Sequence, residues 1–271
     1  RYASPSLTGV TKFGKVSVFS DLNNLDDISM REPYAAICGI TETELRTHFD
    51  EDIHTLASAL ERTYEEARSL LRKRYDGYHF VAGGPGIYNP FSLLNTFRSL
   101  EFGSYWFETG TPTYLVKLLK DNNFCLPDLT SEGVTAETLT DVESFKDNPI
   151  AVIYQSGYLT IKEYDEEFNI YRLGFPNKEV AEGFIKYLIP FYTSIDEGKT
   201  AFYITEFVHD VEEGNYEDFF IRLQSLFADT PYELIRDLEL HYQNVLFIVS
   251  KLLGFYVQAE YHTSDGRIDL T

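Results

Sequence analysis

A chain of 271 residues and 31.2 kDa has room for one large domain or two to three small ones. Hydrophobic residues make up 44% of it and aromatics 15%, ample core material that excludes a disordered chain. A formal charge of −20 repels phosphate backbones at long range, which argues against broad non-specific nucleic-acid binding and leaves only a local basic groove or a metal-assisted contact.

Residues 1–30 read as loop around Gly9 and Gly14, with one strand-like run, Lys15-Val16-Ser17-Val18-Phe19, and a polar, turn-forming stretch from Asp21 to Asp27. Thr41 with Glu44 forms a T-x-x-E capping box, which predicts a helix start there. Helical periodicity covers 42–49 and then 52–74. Tyr75-Asp76-Gly77-Tyr78-His79-Phe80 breaks that periodicity, and Gly83-Gly84-Pro85-Gly86 is loop. Asn89-Pro90 and Thr111-Pro112 each open a helix, the second over 113–119, because proline suits the first turn. The acidic, irregular stretch 121–148 is the candidate linker.

Asn148-Pro149 begins a short helix to Gly157. Tyr158 to Tyr164 and Phe168 to Leu173 then alternate about Asp165-Glu166-Glu167, the pattern of a hairpin. A helix over 178–192 gives a helix–hairpin–helix order, read either as a winged-helix-like unit or as a hairpin that merely covers a helical core. Helices follow over 216–227 and 231–253, the latter with Leu238, Tyr242, Val245, Val249 and Leu252 along one stripe. Phe255 to His262 alternates as a strand, Thr263-Ser264-Asp265-Gly266 turns, and Arg267 to Leu270 alternates again. The fold class expected is α+β and predominantly helical, a helical and winged-helix-like middle followed by a last helix and hairpin. In blocks, that is 1–40, 41–145, 146–230 and 231–271.

The last hairpin carries the chemistry. If His262 faces Arg267, Glu260 falls opposite Asp269, and like charges so placed cost roughly 0.2–1 kcal/mol unless a cation joins them. A one-residue slip would undo the pairing. Glu239, beside the apolar stripe of the preceding helix, is a possible third carboxylate. Oxygen ligands of this kind suit Mg²⁺ or Mn²⁺, which activate water for phosphodiester attack. The competing interpretation is a solvated strand face with Arg267 neutralising its neighbours. Gly9-Val10-Thr11-Lys12-Phe13-Gly14-Lys15-Val16 misses a P-loop, since Val16 has no hydroxyl to hold Mg²⁺. The aromatic runs 75–80 and 105–110 fit packed core and turn better than base stacking, because Lys and Arg thin out after Arg74. The histidines show no metal-ligand spacing, and no nucleophile elbow or Cys–His dyad appears. Cys38 and Cys125 read as two buried thiols of a cytoplasmic protein rather than as a disulfide. No apolar run reaches the length of a membrane span.

Leu7-Thr8-Gly9-Val10-Thr11-Lys12-Phe13, Phe19-Ser20-Asp21-Leu22-Asn23-Asn24-Leu25, the run 75–80 and Tyr88-Asn89-Pro90-Phe91-Ser92 resemble a bacterial AAA-ATPase-like family. Trp106-Phe107-Glu108-Thr109-Gly110-Thr111-Pro112 and Phe175-Pro176-Asn177-Lys178-Glu179-Val180 do too. Proteins of that family often carry a C-terminal PD-(D/E)xK nuclease-superfamily domain, whose first half Glu260 and Gly266-Arg267-Ile268-Asp269 resemble. The resemblance implies that Thr8 lies near the γ-phosphate of ATP, and that residues 30–230 are helical and winged-helix-like parts followed by the start of an α/β nuclease-like domain. It further implies that Asp269 is a nuclease metal ligand supported by Glu239 and Glu260. The Walker motifs and the (D/E)xK half lie outside the sequence, and Asp269-Leu270-Thr271 stops mid-strand, so the chain reads as a catalytically incomplete part of an NTPase-coupled nucleic-acid-processing protein. Its partners on that account are DNA or RNA, and its cofactors Mg²⁺ or Mn²⁺ and ATP. The alternative is a non-enzymatic helical module that binds a protein partner.

Overall fold

The computed structural model of the chain describes residues 27–109, 113–140, 149–228, 237–254, 259–263 and 266–270. The fold is α+β and predominantly helical, with small antiparallel sheets. Two compact units emerge, each drawn from separated stretches of chain: Arg1–Trp106 with Gly133–Lys178, and Phe107–Glu132 with Glu179–Thr271.

In the first unit the capping box forms as expected. Thr41 Oγ1 accepts from Glu44 N while Glu44 Oε2 accepts from Thr41 N, and helix α1 (Glu42–His48) starts there. The single helix expected over 52–74 is instead two, α2 (Asp50–Ala59) and α3 (Tyr64–Tyr75). A second capping box, Thr63 with Glu66, starts α3, and Glu61 takes φ 53 at the break. Asn89 caps α4 (Pro90–Ser99), its Oδ1 accepting from Phe91 N and Ser92 N. The apolar faces of these four helices close one core. Leu45, Ile53, Leu56, Leu71, Tyr75 and Leu93 are fully buried in it, each aliphatic one contributing about 1.5–3 kcal/mol. Strand β1 (Ile40–Thr41) pairs antiparallel with β2 (Ile87–Tyr88) across this core.

The stretch expected to be a linker is ordered over its described residues. It holds short helices α7 (Asp128–Ser131) and α8 (Ala136–Thr140) and strand β3 (Gly133–Val134), after helices α5 (Tyr105–Glu108) and α6 (Thr113–Asp121). After α9 (Pro149–Gln155), β4 (Thr160–Asp165) and β5 (Ile170–Gly174) form the expected hairpin. Its turn is held by Asp165 Oδ1, which accepts from Glu167 N and Phe168 N. β3 adds to the far edge of β5, giving the order β3-β5-β4. The helix–hairpin–helix order is present along the chain, with α10 (Lys178–Tyr192) as its second helix and the two helices in different units.

The second unit is built from α6, α10, α11 (Thr200–Glu212), α12 (Tyr216–Ala228) and α13 (Leu238–Leu252). α11 was not expected from the sequence. Lys120 Nζ donates to Phe191 O, and the hydroxyls of Thr113 and Tyr187 lie 2.6 Å apart, joining α6 to α10. Gly183 is required there, since a Cβ would stand 2.5 Å from the Phe107 ring. Ile189, Phe207, Leu226 and Ile248 line one small apolar cavity shared by α10 to α13. The stripe expected on α13 holds at its centre, where Val245 and Val249 are buried, but Leu238 is 42% exposed and the buried face also takes in Asn244, Phe247 and Ile248. Buried Asn244 accounts for the polar position on that face: its Oδ1 accepts from Leu126 N at 2.7 Å and its Nδ2 donates to Phe124 O at 3.0 Å, pinning α13 to the loop after α6. No helix among the described residues is long and apolar enough to cross a membrane.

Candidate functional site

Several of the motif residues converge in the first unit. Between Ile161 and Glu163 the β4–β5 register shifts by one, leaving Lys162 as the extra residue of a β-bulge. A bulge re-aims its side chain. Lys162 runs over Gly174, where any Cβ would stand 2.9 Å from its Cγ, and its Nζ donates to Pro176 O at 3.1 Å and Gly77 O at 3.4 Å. The residue as a whole stays exposed, but desolvation at its ammonium end lowers its pKa, an effect the charge of Asp76 opposes. Gly77 takes φ 112, and a Cβ on it would meet Pro176 O at 2.2 Å. Only glycine lets the two backbones approach this closely. The turn of Tyr75–Phe80 and the Pro176 segment are therefore clasped by one lysine.

The same turn is tied on its other sides. Thr160 Oγ1 accepts from His79 N at 2.7 Å and donates to His79 O at 2.8 Å. Nδ1 of His79 lies 3.1 Å from Gly84 O, so it carries the ring proton facing that carbonyl. Asp76 is half-buried, and desolvation raises its pKa, with the Gly77 amide and Arg72 acting the other way. Next to it, Tyr88 donates to Glu42 Oε2 at 2.6 Å, and Arg68 Nε donates to Glu42 Oε1 at 2.7 Å. Burial raises the Glu42 pKa, but the hydrogen bonds from Tyr88 and Arg68 outweigh it and hold the carboxyl below its usual value. Trp106 N donates to Ser92 Oγ, and its ring packs on Tyr158 with centroids 5.3 Å apart. Each ionic group of the clasp has protein partners, and together they order the backbone of the turn. Sequence reasoning placed Asp76, Gly77 and Pro176 in motifs of the family resemblance, and 75–80 in core and turn, without joining them, and it gave Lys162 no role beyond its strand. A lone lysine mid-strand gives no local signal of a bulge.

The residues expected to act chemically lie elsewhere. In the second unit, strands β6 (Ala259–Thr263) and β7 (Gly266–Leu270) pair antiparallel, with Ala259 facing Leu270, Tyr261 facing Ile268 and His262 facing Arg267. That is the expected register, and within it Glu260 lies across from Asp269. Glu239 is exposed in the first turn of α13, where Asp237 caps the helix by accepting from Leu240 N. Thr8 and the near-P-loop lie outside the described residues. Among the described residues, no group of three His, Cys, Asp or Glu side chains is arranged to hold a metal ion.

Both cysteines are free, but Cys38 is exposed rather than buried as expected. Cys125 is half-buried, and burial, with Asp128 beside it, pushes its thiol up to about 12.

No family model matches the chain, and no solved structure matches it. It is similar to a protein of Azotobacter chroococcum mcd 1 described as an uncharacterized protein in the vnfD 5′ region, 37% identical over 276 residues that cover 98% of this chain and 50% of that protein. The chain thus spans about half the length of that curated relative.

Proposed function

We propose that this chain is part of an NTPase-coupled nucleic-acid-processing protein of the cytoplasm, in which Glu260 and Asp269 supply two ligands of a Mg²⁺ or Mn²⁺ site. The observation that supports this is the β6–β7 register, in which Ala259 faces Leu270 and Tyr261 faces Ile268, the pairing under which Glu260 is expected opposite Asp269. Two carboxylates so placed are hard oxygen donors of the kind these cations take, and a cation between them removes a repulsion of roughly 0.2–1 kcal/mol. When bound, the cation would supply an activated water for phosphodiester attack. Asp269 is the principal ligand and Glu260 the second, while Glu239 supports the centre without being counted among the ion's ligands. ATP binding, near Thr8, would reposition this centre relative to the helical units.

The test is cleavage of DNA and RNA by the purified intact protein, with and without ATP, in Mg²⁺ or Mn²⁺. The reading requires metal-dependent cleavage that Asp269→Asn abolishes and Glu260→Gln weakens, while both variants keep their wild-type circular dichroism. Cleavage that survives Asp269→Asn, or none in any metal, overturns it.

A further inference from the structure

The outward face of α12 has no place in the hairpin chemistry. Tyr216 is 62% exposed, Phe220 58% and Ile221 55%, all on one helix. The other side of that helix is committed to the fold: Leu223 and Leu226 are buried, and Phe219 packs edge-on against Phe207 at 5.4 Å. Tyr216 and Phe220 are spaced i, i+4 and so stand one above the other, with Glu217 similarly aligned to Ile221. Two large aromatics and an isoleucine exposed together are more than scattered surface apolarity.

The charges around this face have one sign. Residues 200–228 hold Glu206, Asp210, Glu212, Glu213, Glu217 and Asp218 against one Lys or Arg, Arg222. That arginine is already used, since its Nε donates to Asp210 at 2.8 Å and its Nη2 to Glu206 at 3.1 Å. Glu212, Glu213, Glu217 and Asp218 are exposed. The face therefore presents apolar anchors inside an acidic rim with its sole guanidinium turned inward.

We infer that this face of α12 docks a basic amphipathic helix of another protein, with apolar side chains seated on Tyr216, Phe220 and Ile221 and flanking Lys or Arg meeting the acidic rim. Ridge spacing of four residues on α12 accepts a helix, aromatic anchors dominate such contacts, and the rim steers a cationic partner.

The experiment is fluorescence anisotropy of a labelled synthetic amphipathic helix, leucines on one face and lysines flanking them, titrated with the intact protein. Binding is expected to weaken with added salt and to fall at least about tenfold in Phe220→Ser/Ile221→Ser. Both substituted residues are exposed, so an unchanged melting temperature and circular dichroism confirm that the variant is folded. The inference is overturned if the lysine peptide does not bind, if the double variant binds it as well, or if a glutamate-flanked version binds equally. It is also overturned if sedimentation shows a dimer of this chain that the double variant dissolves, since the occupant is then a second copy.

Discussion

Replacing Gly77 with alanine should strike the clasp at its tightest point. The residue sits at φ 112, where an L side chain is strained, and the added Cβ would lie 2.2 Å from Pro176 O, a backbone atom with no rotamer to yield. Left-handed strain costs about 1–2 kcal/mol and forced repacking about 1–3 kcal/mol, so about 3 kcal/mol in total is expected. Gly83→Ala provides the internal reference: φ is +68, but nothing lies within 4 Å of the new Cβ, so only the strain of about 1 kcal/mol remains. Thermal unfolding followed by circular dichroism should place Gly77→Ala roughly 6–12 °C below wild type, and Gly83→Ala a few degrees below it. The difference between the two isolates the approach to Pro176. If both variants melt together, the backbone contact at Gly77 does not hold the clasp and the reasoning fails.

Tyr88→Phe deletes the hydroxyl that donates to Glu42, and urea unfolding near neutral pH should show a loss of about 1–2 kcal/mol. Glu42 is held below the usual carboxylate range, so its contribution is present above the ordinary value and lost as pH falls through the depressed folded value. The gap between wild type and Tyr88→Phe should therefore narrow in acid, and a gap that widens there would contradict the network. Iodoacetamide should modify exposed Cys38 well before Cys125, whose thiol is pushed up to about 12. Peptide mass spectrometry reads the order, and equal rates in the native protein would refute the burial of Cys125.

What could be read in advance was local. The hairpin of β4 and β5 showed in two strand-like runs around the turn Asp165-Glu166-Glu167, and the β6–β7 register followed once His262 was set against Arg267, because a ladder without bulges has one free parameter. Capping chemistry is equally legible, and it marks the break between α2 and α3: Thr63 and Glu66 repeat the T-x-x-E spacing of Thr41 and Glu44, within apolar periodicity that continues across the break. The rest depends on contacts distant in sequence. β1 and β2 are two residues each and pair across a separation that leaves no local trace. The buried face of α13 includes Asn244, bonded to Phe124 and Leu126, so a polar residue occupies the core side while Leu238 is exposed. Lys162 became legible only when the bulge aimed it at Gly77 and Pro176.

The most direct test of the carboxylate pair is an electron-paramagnetic-resonance titration of Mn²⁺ into the intact protein and its Asp269→Asn and Glu260→Gln variants. A bound Mn²⁺ population in wild type that disappears in Asp269→Asn and weakens in Glu260→Gln is the predicted result. Binding identical in all three proteins, or absent from wild type, would contradict a cation site on the hairpin.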